Sequence, residues 1–232
     1  MVNVNTVYQT VLLILNQQQR GYITPDEFNK IATQAQLTMF EAYASDLNQQ
    51  YRLPDNDTEY ADRVKNIQQK LQFFQRTGST AYVGPHFTLT PAGADVLYRL
   101  GSIFYKNIEL GQYSQRNEIT QLLLSPLTQP TEKFPIYLYE NDLLYVYPIT
   151  IQSGITFSYL AKPRDVVWGF TTGAQGQYLY APGTSVQFDL DVTEQDELIM
   201  RILAYAGVII QDPTIIQTAS QAVANQDNNE KQ

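Results

Sequence analysis

Apolar side chains recur at three- and four-residue steps through the first third of the chain, the spacing of helices that bury one face. The pattern predicts a helix from Thr6 to Arg20, holding the longest apolar run, Val11-Leu12-Leu13-Ile14-Leu15. A second helix from Pro25 to about Gln50 carries Phe28, Ile31, Ala35, Met39, Ala42 and Tyr43 in a stripe one face wide, most simply a core stripe. After the breaker stretch Leu53 to Thr58, a third helix from Glu59 to Arg76 repeats the pattern with Tyr60, Val64, Ile67, Leu71 and Phe74, and Thr58 can cap it.

From Thr77 the period changes from 3.6 to 2. Short apolar segments broken by Gly and Pro predict strands at 81–83, 87–89, 96–105, 136–139, 143–147, 155–160 and 186–190. The clearest hairpin joins Pro135–Glu140 to Leu143–Pro148 through Asn141-Asp142, where alternation meets a turn-forming dipeptide. A short helix is predicted over Gln115–Leu124. The helical period then returns: Thr193 reads as an N-cap ahead of Leu198, Ile199, Ile202, Leu203, Ala206 and Ile209, and Pro213 opens a last helix with Ile215, Ile216, Ala219 and Val223. Asn225–Gln232 is polar and reads as a flexible tail.

The best-punctuated segment is Gln18 to Asn29. Gly21 stops the first helix, Thr24 caps the second, Pro25 takes its first position, and Asp26 and Glu27 complement its dipole. Thr24 with Glu27 matches a capping box. The fold class expected is α+β, a helical bundle built from N- and C-terminal helices with an inserted antiparallel β lobe. The expected boundaries are 1–77 plus 192–224 for the helical lobe, 78–191 for the β lobe and 225–232 for the tail.

Composition narrows the function. At 232 residues and 44% hydrophobic the chain can bury a substantial core. A net charge of −8 with scattered basic residues argues against a nucleic-acid groove, which needs clustered Lys and Arg. With no cysteine there is neither a disulfide framework nor a thiolate zinc site, which suits a reducing cytosol. Neither a membrane span nor a signal peptide is expected. Seventeen Tyr and ten Phe make protein contacts plausible chemistry, since a phenol offers apolar area and a polar tip, although ordinary sheet tyrosines explain each one singly.

The chemical inventory is thin. His86 is the only histidine and has no cysteine to share a ligand set. Asp55, Asp57 and Glu59 open like a calcium loop, but the Gly is missing and Asn66 stands where the closing Glu belongs. Asp189, Asp191, Glu194, Asp196 and Glu197 cluster at a helix start, where dipole complementation explains most of them. The glycines Gly101, Gly111, Gly173 and Gly176 form no phosphate cradle. Ser79 and Ser153 have only His86 as a base for a triad. The stretch Tyr159–Phe170, with a basic Pro turn ahead of the only Trp, suits either anchoring of the β lobe or a contact patch. No catalytic, cofactor or metal residue is assigned. The interface candidates are Tyr22, Tyr43, Arg164, Trp168, Tyr180, Asn225 and Gln226.

Taken together, Asn5–Tyr8, Arg20–Asn29, Ala35-Gln36, Leu124–Thr131, Tyr159–Trp168 and Glu197–Gln217 resemble structural proteins of tailed bacteriophages. The likeness is to the head-to-tail connector, or neck and ring, proteins of short-tailed phages, particularly the crAss-like group. That resemblance implies a virion protein of the neck, assembled in the host cytoplasm. It would form a ring of twelve copies beneath the portal protein, contact neighbouring ring or tail proteins, and let DNA pass without sequence-specific binding. Two other classes compete: a tail-fibre or receptor-binding protein, and a glycan hydrolase using a carboxylate pair such as Asp189 and Glu194. Fibres tend to be trimeric and repetitive, and this chain has no internal repeat.

Overall fold

The computed structural model describes residues 1–17, 22–50, 58–113, 115–210 and 213–230. In chain order these form α1 (Val4–Gln17), α2 (Pro25–Gln50), α3 (Thr58–Leu71), β1 (Gln75–Val83), β2 (His86–Thr90), β3 (Leu97–Tyr105), β4 (Ile108–Glu109), β5 (Gly111–Tyr113) and α4 (Arg116–Leu124). Then come β6 (Ile136–Glu140), β7 (Leu143–Tyr147), β8 (Ile155–Ala161), β9 (Phe170–Thr172), β10 (Tyr178–Tyr180), α5 (Gln195–Ile210) and α6 (Pro213–Glu230). The fold is mixed α+β, as the two periodicities predict. It divides into two compact units, a split unit made of Met1–Phe73 with Pro163–Gln232 and a sheet unit, Phe74–Lys162.

In the sheet unit eight strands follow the order β4-β3-β8-β1-β2-β7-β6-β5, antiparallel except for β5 beside β6. The two edge strands are separated in sequence by Leu110 alone, so the sheet curls until its edges almost meet and is nearly closed. Leu110 seals the junction: its N–H donates to the Ile103 carbonyl at 2.9 Å, the next N–H, of Gly111, donates to the Pro135 carbonyl at 3.1 Å, and its side chain is buried. Closure is one way to leave no long edge open to aggregation. The interior is filled by Phe87, Ile103, Leu144, Ile155, Phe157 and Tyr159 among others. The 135–148 hairpin forms as read, with Asn141 and Asp142 both at positive φ, 53° and 60°, the conformation a two-residue type I′ turn demands.

In the split unit α5 packs on α1, α2 and α6, and α2 also packs on α3. The predicted stripe of α2 is buried at Phe28, Ile31, Ala35, Met39 and Tyr43, while Ala42 is half-buried. Its capping box is built: the Thr24 N–H donates to Glu27 Oε2 at 2.9 Å, the Thr24 hydroxyl to the same oxygen at 2.7 Å, and the Glu27 N–H reaches Thr24 Oγ1 at 3.4 Å. The stop assigned to Gly21, the calcium-like pair Asp55 and Asp57, and the breaker up to Asp57 lie outside the described residues, as do the side chains of Thr58, Glu59, Tyr60, Val64, Ile209, Ile215 and Ile216.

Several boundaries differ from the sequence expectation. The first helix starts two residues earlier, at Val4, because the Asn3 side chain accepts from the N–H groups of Asn5 (2.8 Å) and Thr6 (3.2 Å) and caps it. The third helix ends at Leu71 rather than Arg76, because Gln75 and Arg76 pair with Leu160 and Tyr159 in the sheet. Before α5 the cap is Asp191, not Thr193. Asp191 accepts from the Val192 N–H at 2.6 Å and opens a 3-10 turn, Val192–Glu194, that leads into the helix. No strand forms at 186–190; Val186 makes one bridge to Val167, and the chain bends at Asp189 and Leu190. Segment 163–191 lies in the split unit with the helices, whereas the change of texture places it in the β lobe. The α6 helix runs through Glu230, where a flexible tail is expected from Asn225, since each added helical residue gains a backbone hydrogen bond once the helix exists.

Candidate interaction surfaces

Segment 163–191 is held to the helices by side chains that serve its backbone. The buried Gln36 amide donates to the Arg164 carbonyl at 2.9 Å and accepts from the Asp189 N–H at 2.8 Å. Thr33 Oγ1 accepts from Val166 N at 3.0 Å, Asn29 Oδ1 from Trp168 N at 2.7 Å, and Gln187 Oε1 from Val4 N at 2.8 Å. A backbone with no regular ladder still needs partners for its polar groups; here α2 provides them through Gln36, Thr33 and Asn29, while Gln187 of the segment in turn accepts from the first N–H of α1.

These bonds position an aromatic cluster. Trp168 is 4% exposed, its indole N–H donates to Asn5 Oδ1 at 3.0 Å, and its ring lies 4.4 Å from Tyr8, 5.7 Å from Tyr180 and 6.0 Å from Phe170, centroid to centroid. The β9–β10 hairpin carries Phe170 and Tyr178 edge-on at 4.9 Å, and Gly176 in its turn sits at φ 79°, the region that favours glycine. Together α1, Tyr22 and this hairpin form a groove of about 430 Å³ bordered by Tyr8, Leu12, Tyr22, Trp168, Gln177 and Tyr178. Among the described residues no charged side chain lines it. Burial pushes the Tyr8 phenol well above the ordinary tyrosine range, helped by its hydrogen bond with Tyr22, so it stays neutral. Tyr22 at its rim is 56% exposed.

The sheet unit offers a different surface. Nine-residue α4 buries only Ile119, and the chain after it folds back on the helix. The Thr128 hydroxyl donates to the Leu122 carbonyl at 3.1 Å, Gln129 Nε2 to the Leu123 carbonyl at 2.9 Å, and Phe134 N to the Thr131 carbonyl at 3.0 Å. The loop is thus fixed by its own bonds while Leu124, Leu127 and Phe134 point away from any core, 79%, 98% and 78% exposed. None of the three is among the interface candidates expected from sequence, although Leu124 and Leu127 lie in a segment that carries the resemblance to phage proteins. The signal was there: Leu122-Leu123-Leu124 followed by Leu127 is more apolar length than so short a helix can bury on one face.

Of the interface candidates, Tyr22 and Trp168 meet in the groove and Tyr180 stacks behind it. Arg164 stands apart, bound to buried Asp189 at 3.1 Å through Nε and 2.5 Å through Nη2. Tyr43 is buried: its hydroxyl donates to Glu194 at 2.6 Å and Lys70 lies 5.0 Å over its ring, so it reaches no partner without moving. Asn225 is exposed on α6, and the side chain of Gln226 lies outside the described residues. Three members of the acidic cluster have basic partners, Asp189 with Arg164, Glu194 with Lys70 at 3.3 Å and Glu197 with Arg201 at 2.6 Å, while Asp191 accepts from the Val192 N–H. The two carboxylates that a hydrolase would use therefore have different basic partners. Among the described residues no group of three metal-ligating side chains converges, and His86 rests 5.8 Å from the Tyr145 ring. Nor is any described helix long and apolar enough to cross a membrane. No protein-family model matches this chain, and no curated protein matches it.

Proposed function

We propose that the protein is a virion structural subunit, one copy of a head-to-tail connector ring that joins the portal protein to the tail and surrounds the DNA exit channel. The observation that carries this reading is the pair of dissimilar, rigidly held apolar surfaces: the aromatic groove of the split unit and the Leu124–Phe134 loop of the sheet unit. An aromatic groove and a short loop that holds three large apolar side chains in solvent are both suited to contacts with other proteins, and two unlike ones on one chain suit the head-to-tail contacts of a ring. In this reading the N- and C-terminal helices form one lobe with the β lobe inserted between them, and the helices contribute to contacts between copies. Neighbouring ring or tail proteins and the portal occupy the remaining surfaces. The net charge of −8 suits a channel wall past which DNA slides without being held. The protein acts in the neck of the virion after assembly in the host cytoplasm, and needs no cofactor.

The groove's tyrosines also fit a receptor-binding structural protein. Native mass spectrometry of the protein, alone and with the portal protein of the same virus, separates the two. A closed ring, or a monomer that becomes ring-sized on the portal, is the expected result. A stable trimer indifferent to the portal overturns the connector reading in favour of the receptor-binding one.

A further inference from the structure

We infer that the Leu124–Phe134 loop of one copy docks in the aromatic groove of the next, so that a second copy of this chain is the groove's occupant; the inference deepens the ring reading and rests on it. The two surfaces match in chemistry. The groove presents Tyr and Trp faces with the Gln177 amide at its edge, and no charged side chain among the described residues. The stretch Ser125–Thr131 is likewise uncharged, and its turn holds Leu127 out into solvent, an apolar side chain of the kind an aromatic groove receives. The groove, about 430 Å³, has room for an exposed side chain such as that of Leu127.

Charge disfavours the groove-to-groove alternative. The sheet unit holds six basic and six acidic side chains, so the whole net charge of −8 belongs to the split unit. Bringing two grooves together would set the two acidic units face to face, whereas loop into groove sets a neutral unit against an acidic one and leaves only the weaker repulsion between the acidic units further off. Order favours it too: the loop is pinned to α4 by Thr128 and Gln129, so little freedom is lost when it binds. Because loop and groove are different surfaces, each docked copy still has one of each to offer. Such a contact closes into a ring where the rotation allows and extends as a filament where it does not.

The test uses two full-length variants, Leu127→Asp, which spoils the loop, and Tyr22→Asp, which charges the groove rim. Native mass spectrometry across a concentration series, alone and on the portal protein, reads the assembly; circular dichroism checks the fold, and Tyr178→Asp replaces Tyr22→Asp should the latter unfold. Each variant alone is expected to lose self-association at least tenfold, and their equimolar mixture to form a one-to-one heterodimer that grows no further. Wild-type-like assembly of Leu127→Asp, or no heterodimer from the mixture, overturns the inference while leaving a wild-type ring in place. A wild type that stays monomeric both alone and on the portal overturns the ring reading, and the inference with it.

Discussion

Single side chains decide where each element starts. The Thr24–Glu27 box turns α2 on at Pro25, and its carboxylate is held below the ordinary Glu range, first by the Thr24 N–H and then by the Thr24 hydroxyl. A lowered folded-state pKa means that the unfolded chain takes up the proton more readily. The stabilisation is therefore complete above the unfolded value and disappears as pH falls through the lower folded one. Glu27→Gln should flatten the acid limb of the stability curve in that window, and Thr24→Ala should cost about 1 kcal/mol at neutral pH. Urea denaturation across a pH series reads both; an acid limb in Glu27→Gln identical to wild type would show that the box carries no linkage. Asn3 and Asp191 do the same work at α1 and ahead of α5, and a sequence reading misses them because Thr6 and Thr193 are equally good caps by residue type.

At the scale of elements, the sheet unit enters and leaves the chain at neighbouring strands. Ala161 N donates to the Phe74 carbonyl at 2.8 Å, and β1 pairs with β8 from Gln75 opposite Leu160 onward. A segment whose ends meet inside its own ladder, around its own buried cluster, meets the conditions for folding alone. The isolated fragment 74–162 should give dispersed amide resonances and one cooperative urea transition. A fragment that remains unfolded at all urea concentrations would show that the sheet depends on its flanks. The hairpin at 135–148 and helix α4 were legible from sequence because their signals are local, a period plus a turn dipeptide or a short apolar face. The remaining strand partners were not, since β3 lies beside β8 across 49 intervening residues and β1 beside β8 across 71, and no local pattern encodes that choice.

For the whole molecule, charge is partitioned: all of the net −8 sits on one unit and none on the other. Self-association through uncharged surfaces should therefore hold or strengthen as salt rises from about 50 mM to 500 mM, because salt screens only the residual repulsion among acidic units. Sedimentation velocity at the two salt levels measures this. Dissociation at high salt would instead point to an interface of ion pairs. The partition is invisible to an overall pI near 4.6 and appears only once the unit boundaries are known.

The sequence by itself determined the helices with a full face of apolar residues, the capping box, the strands of the central hairpin and the mixed α+β class, because each is written in neighbouring residues. It also named Trp168 and Tyr22 as candidates by residue type alone. Only the tertiary structure decided that the two share a groove with Tyr8 and Tyr178, that Tyr43 is spent on buried Glu194, and that segment 163–191 belongs with the helices. The last is the most instructive. Phe188 and Leu190 alternate like a strand and are fully buried, yet the N–H of Asp189 between them donates to Gln36 and the Leu190 carbonyl accepts from Val2, both far away in the chain. Burial made that segment look like a strand, and the long-range hydrogen-bond partners that made it something else have no local signature.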